Sequence, residues 1–116
     1  MKTLLLALTL AALPAAAADV SGVWKVEGDI AGNAVTPACT LKQAENKLSG
    51  SCKSELGDAP LKGEVDGKKV KFEYDIEYNG QKYTLVYLGE LASDTELKGT
   101  IDVGVATGAF TAKKES

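Results

Sequence analysis

The stretch Lys69–Leu91, KVKFEYDIEYNGQKYTLVYLGEL, decides the fold. Val70, Phe72, Tyr74, Ile76 and Tyr78 alternate with Lys69, Lys71, Glu73, Asp75 and Glu77, so an extended chain here has one apolar and one charged face. That is the pattern of an antiparallel strand with one side in a core and the other in water. Asn79-Gly80 follows, a dipeptide suited to a hairpin turn whose two central residues need positive φ. Centred on it, Ile76 meets Tyr83, Tyr74 meets Leu85 and Phe72 meets Tyr87, inward with inward.

The same test extends in both directions. Alternation and turn signals predict eight strands, over 20–31, 34–43, 47–54, 60–65, 69–78, 81–91, 96–103 and 108–114. Gly32-Asn33 pairs Ile30 with Val35, Val26 with Cys39 and Trp24 with Leu41. Glu45-Asn46 brings 39 opposite 52, and Asp66-Gly67 pairs Gly63 with Val70 and Leu61 with Phe72. A turn centred on Asp94 pairs Leu91 with Leu97 and Tyr87 with Ile101. A longer loop is expected over Ser54–Ala59, and Pro37, which lacks a ladder N–H, predicts a bulge or break in the second strand. Short strands in hairpin succession close most economically as an eight-stranded antiparallel up-and-down β-barrel, which leaves no sheet edge exposed. A β-sandwich is the alternative.

A refrain recurs as LSGSC (48–52), LKGEV (61–65) and LKGTI (97–101), with ATGAF (106–110) a weaker echo. Each sets a glycine on the inner face in mid-strand. Bending of the barrel wall is the favoured reading, ahead of glycines lining a cavity.

Cys39 and Cys52 fall opposite each other at a non-hydrogen-bonded position of the Glu45-Asn46 hairpin, where Cα atoms approach closely. The register predicts a cross-strand disulfide. Lys2, the apolar run Leu4–Leu13 and Ala16-Ala17-Ala18 read as a secretory signal over 1–18 that is removed, leaving a single barrel domain over 19–116 in the periplasm or outside the cell.

The chain has no Arg and no His, and its formal net charge is −3. Nucleic-acid binding is disfavoured without a basic run or bidentate guanidinium groups. Catalysis and metal binding lose their commonest side chain. The acids Glu73, Asp75 and Glu77 alternate with lysines on a solvated face, where Glu77–Lys82 and Glu90–Lys98 are expected as ordinary surface pairs. The sequence therefore predicts a non-enzymatic protein with no cofactor and no metal, and no membrane span.

Trp24, Phe72, Tyr74, Tyr78, Tyr83, Tyr87 and Phe110 all fall on the inner face. An eight-stranded barrel is either just filled by side chains or holds one small ligand. In the second case Trp24, Phe72, Tyr74, Tyr83 and Tyr87 are the candidate ligand-binding residues, for a small apolar or aromatic molecule. The alternative is a filled barrel that binds an exported protein or inhibits a protease. Val86 and Leu88 interrupt the polar outer face of the sixth strand, and a monomer with weak dimer contacts through this pair is expected.

Ser21-Gly22-Val23-Trp24, at the start of the first strand, resembles the Gly-X-Trp signature of the calycin superfamily, which includes lipocalins, avidins, fatty-acid-binding proteins and small bacterial metalloprotease inhibitors. The last are nearest in size. The resemblance implies that Trp24 closes one end of the barrel against a basic residue of the last strand, a place that Lys113 or Lys114 takes in a chain without Arg.

Overall fold

The computed structural model describes residues 19–115. The leader expected over 1–18 lies outside the described residues. Nine segments are extended: β1 (Gly22–Ile30), β2 (Asn33–Val35), β3 (Ala38–Ala44), β4 (Lys47–Ser54), β5 (Gly57–Asp66), β6 (Lys69–Tyr78), β7 (Gln81–Ser93), β8 (Glu96–Asp102) and β9 (Thr107–Lys114). Each pairs antiparallel with the next around the sheet, and β9 closes on β1 from Trp24↔Lys114 to Ile30↔Gly108. β2 and β3 together line one side of β1, β2 along Gly28–Ile30 and β3 along Gly22–Lys25. They are one barrel strand broken at Thr36-Pro37, the break that proline foretold, and Val26 N–H bridges it by donating to the Pro37 carbonyl at 3.0 Å. The result is a closed eight-stranded up-and-down barrel.

The expected pairings hold for β3–β4, β6–β7 and β7–β8. Two hairpins sit two residues away from expectation. The first turn is Ala31-Gly32, not Gly32-Asn33, so Trp24 stands opposite Cys39 and Gly28 opposite Val35. Ala31 and Gly32 hold the positive φ values (54° and 87°), and Asp29 Oδ1 fixes the turn by accepting from Gly32 N–H at 2.9 Å. The β5–β6 turn is Gly67-Lys68, which sets Gly63 against Phe72 in place of Leu61. The reason is steric: a Cβ on Gly63 would lie 2.0 Å from the Lys71 carbonyl oxygen, so only glycine fits there. The loop expected over Ser54–Ala59 is a tight turn, because Ser54 already pairs with Gly57. β5 thus carries Pro60, whose missing N–H is tolerated because pairing with β6 begins only at Lys62.

All four refrain glycines mark places where neighbouring strands come too close for a side chain. A Cβ at Gly99 would sit 1.9 Å from the Leu88 carbonyl oxygen, and Gly50 and Gly108 meet Thr40 and Asp29 in the same way. They bend the wall, as small barrels require, and none of the four lines the open end of the barrel.

Inside, Phe72 and Tyr87 stack with centroids 4.7 Å apart, Tyr74 stacks on Tyr87 at 5.6 Å, and Phe110 meets Tyr87 edge-on at 5.1 Å. The Cys39–Cys52 disulfide crosses one directly opposed pair with Cα atoms 4.0 Å apart, as the close non-hydrogen-bonded position allows. Both cysteines are buried.

Candidate ligand cup

The two ends of the barrel differ. At one end Trp24 is buried, and its indole Nε1–H donates to the Val20 carbonyl at 2.9 Å. Val20 is itself buried, its N–H donating to Gln43 Oε1 at 2.9 Å, while Gln43 N–H donates to Ser21 Oγ at 3.0 Å. The three residues before β1 thereby fold across this end as a cap. The turns here are tied to further strands: the carbonyls of Asn46, Lys68 and Thr95 accept from the N–H groups of Val65, Leu91 and Lys114. Lys114 stands directly opposite Trp24 and is half-buried, whereas Lys113 is exposed. Asp19 has a carboxyl held below the usual range, chiefly by hydrogen bonds from Ser21 and less by the charge of Lys114.

The opposite end carries the turns Ala31-Gly32, Glu55-Leu56 and Asn79-Gly80 and the β8–β9 corner, and it opens into a cup of about 490 Å³. Ile30, Val35, Ile76, Tyr83 and Val103, all partly buried, form the wall, and the buried Tyr74 and Leu85 form the floor. Leu56, Tyr78 and Val105 stand exposed at the rim. Ligand sites are concave, largely apolar and roughly 300–1,000 Å³, and the cup falls within that class.

Of the five aromatic candidates read from the sequence, the structure brings Tyr74 and Tyr83 to the cup. Trp24 lies in the capped half, and Phe72 and Tyr87 are packed in the stack below the floor, so these three do not line it. The wall residues Ile30, Val35, Ile76 and Val103 were missed as site residues. A signal for them was present: the turns at the cup end carry Ala31, Leu56, Val105 and Ala106, while those at the Trp24 end are Glu45-Asn46, Gly67-Lys68 and Asp94-Thr95.

A buried polar pair joins the floor to the stack beneath it. The hydroxyls of Tyr74 and Tyr87 are 2.7 Å apart, and burial raises both above the ordinary phenol value, Tyr87 furthest. Tyr83 donates its hydroxyl proton to Gln81 Oε1 at 2.8 Å.

A second concavity, of about 720 Å³, follows the wall where β5 to β8 meet. Its charged side chains oppose one another across strands, Glu64 with Lys71, Lys69 with Glu90 and Glu90 with Lys98. Leu88 is exposed there, but Lys71 and Thr100 flank it, while Glu73 and Asp102 flank Val86. Val86 and Leu88 therefore form no extended apolar patch. Lys82, opposite Glu77 as expected, reaches instead to Asp75 at 3.8 Å.

No family model matches the chain, and no curated protein matches it. Among solved structures, a redesigned β-barrel aligns with 84% of this chain and 91% of its own at a TM-score of 0.67 and 10% identity. That likeness is one of fold. The chain is a small closed eight-stranded antiparallel β-barrel, similar in architecture to a designed one.

Proposed function

We propose that this barrel is a non-enzymatic binding protein, working outside the cytoplasm, that carries a small apolar or aromatic molecule in the cup. The observation that carries the reading is the contrast between the ends: one is capped over a buried tryptophan, the other open over an apolar wall. The buried disulfide fits an oxidising compartment. Gly22 and Trp24 at the capped end support a calycin-like ancestry, as does the closure of β9 on β1. The lack of His and Arg favours carriage over catalysis. Titration with the neutral fluorophore 1-aminoanthracene tests the reading. One saturable site, lost when Ile76→Trp fills the cup, is expected; no saturable binding, or binding unaffected by I76W, overturns it.

The exposed rim residues Leu56, Tyr78 and Val105 favour a second reading, a barrel that grips an exported protein or a protease by this end. Inhibition of exported proteases that disappears on Val105→Asp and Leu56→Asp is its test.

A further inference from the structure

We infer that the ligand of the cup is not an anion and carries a hydrogen-bond acceptor, which it presents to the hydroxyl of Tyr74 at the floor. This rests on the reading of the cup as a ligand site and names the class of molecule it takes.

The argument begins with a count of protons. Two phenol hydroxyls bring two O–H donors, and the 2.7 Å bond between Tyr74 and Tyr87 uses one of them. Neither hydroxyl has another partner among the described residues, so one donor is left over. Its location depends on which tyrosine donates to the other. Tyr87 is wholly buried between Phe72 and Phe110 and does not reach the cup. If Tyr74 donated, the spare proton would belong to Tyr87 and be shut among aromatic rings, where an unmade hydrogen bond is costly. With Tyr87 donating, the spare proton belongs to Tyr74, which lines the cup and can offer it to an occupant. An acceptor on the ligand completes a chain from Tyr87 through Tyr74 to the ligand, in which each bond polarises the next. A phenol is protonated at neutral pH even in water, and burial only raises these two further, so both serve as donors.

Charge selects against anions. Glu55 is the one ionisable acid or base among the cup's aliphatic, amide and hydroxyl side chains, its tyrosines apart, and no lysine lines it. A carboxylate or phosphate entering this space would lose its hydration with no cation to replace it. Tyr83 has already given its proton to Gln81 and Tyr78 stands exposed at the rim in reach of water, which leaves Tyr74 as the tyrosine donor at the floor. Ketones, ethers and aromatic ring nitrogens on an apolar body meet these requirements.

Three probes of one ring system separate the possibilities: naphthalene, 2-acetylnaphthalene and 2-naphthoate, titrated at pH 7 by calorimetry. The ketone is expected to bind about fivefold or more tighter than the hydrocarbon, the worth of one net hydrogen bond, and the carboxylate weakest. In Tyr74→Phe the ratio of ketone to hydrocarbon affinity is expected to fall toward one. Equal binding of all three, or tightest binding of 2-naphthoate, overturns the inference while leaving the cup as a ligand site. Failure of all three to bind, with 1-aminoanthracene also silent, overturns the cup reading itself. The wild-type series decides the question even if Y74F does not fold.

Discussion

The indole N–H of Trp24 donates to the carbonyl of Val20 at 2.9 Å, so the residue that fills the capped end is held by the segment that caps it. Trp24→Phe removes that donor, leaves the Val20 carbonyl unpaired and opens a gap beside the ring. The expected loss is about 2–3 kcal/mol, from the unmade bond and the lost packing together. Urea unfolding followed by circular dichroism, which needs no tryptophan signal, measures it. A loss below about 0.5 kcal/mol, the level of an ordinary surface change, would show that the cap is not coupled to the barrel.

Gln43 joins the same cap from β3, accepting from Val20 N–H and donating its own N–H to Ser21. In Gln43→Ala the Val20 N–H loses its acceptor, while the backbone bond to Ser21 remains. A loss of about 1 kcal/mol is expected, with faster amide exchange at Val20 in hydrogen-exchange measurements. Unchanged exchange at Val20 would mean that another group satisfies it.

The glycine refrain makes a sharper contrast. Gly63→Ala and Gly99→Ala place a Cβ about 2 Å from a backbone carbonyl oxygen that cannot move without parting two strands. Each is expected to cost about 3 kcal/mol or more, or to prevent folding. Gly67→Ala has open space and a φ of 62°, so it is expected to cost only about 1–2 kcal/mol, the left-handed penalty of a residue with a Cβ. Thermal unfolding of the three variants ranks them, and equal melting points would refute the steric account.

These residues also show how far the sequence can be read. Alternation gave the inner face of every strand, because a side chain's face depends only on parity. Shifting Gly63 from Val70 to Phe72, or Trp24 from Leu41 to Cys39, changes the register by two and leaves parity intact, so the hydrophobic pattern is blind to the error. Position was legible where a turn admits one solution, as at Asn79-Gly80, where both residues take positive φ (53° and 78°). It was not legible at Gly67, where Asp-Gly and Gly-Lys are both workable turns and a carbonyl contact across strands decides. The cup was legible only in part for a related reason. Tyr74 and Tyr83 follow from alternation, but depth along the barrel axis depends on how each strand slides past its neighbours. Sequence alone therefore does not separate the floor from the stack formed by Phe72 and Tyr87.

The disulfide closes a loop between residues 13 apart in sequence and lies wholly inside the barrel. Removing it in a Cys39→Ala, Cys52→Ala double variant is expected to cost about 3 kcal/mol on the chain-entropy account. Because both sulfurs are shielded, a phosphine reductant is expected to cleave the bond slowly in the folded protein and quickly near the urea midpoint. Mass spectrometry of alkylated samples follows the reaction. Rapid reduction without urea would place the bond in a segment that opens locally.

Tyr74 and Tyr87 set the behaviour at high pH. Burial raises both phenols above their ordinary value near 10, so the folded protein keeps protons that the unfolded chain releases. Their contribution to stability is therefore fully present below pH 10 and declines as pH rises past that value. The decline is about 1.4 kcal/mol per pH unit for each tyrosine while the native phenols stay protonated. Urea midpoints measured between pH 8 and 12 are expected to fall along this limb, and more gently in the Tyr74→Phe, Tyr87→Phe double variant. Ultraviolet difference absorption near 295 nm, which reports phenolate, is expected to show these two groups ionising only as the barrel unfolds. Phenolate from all four tyrosines in a barrel still folded by circular dichroism would mean that the floor pair is open to water, and with it the donor assigned to Tyr74.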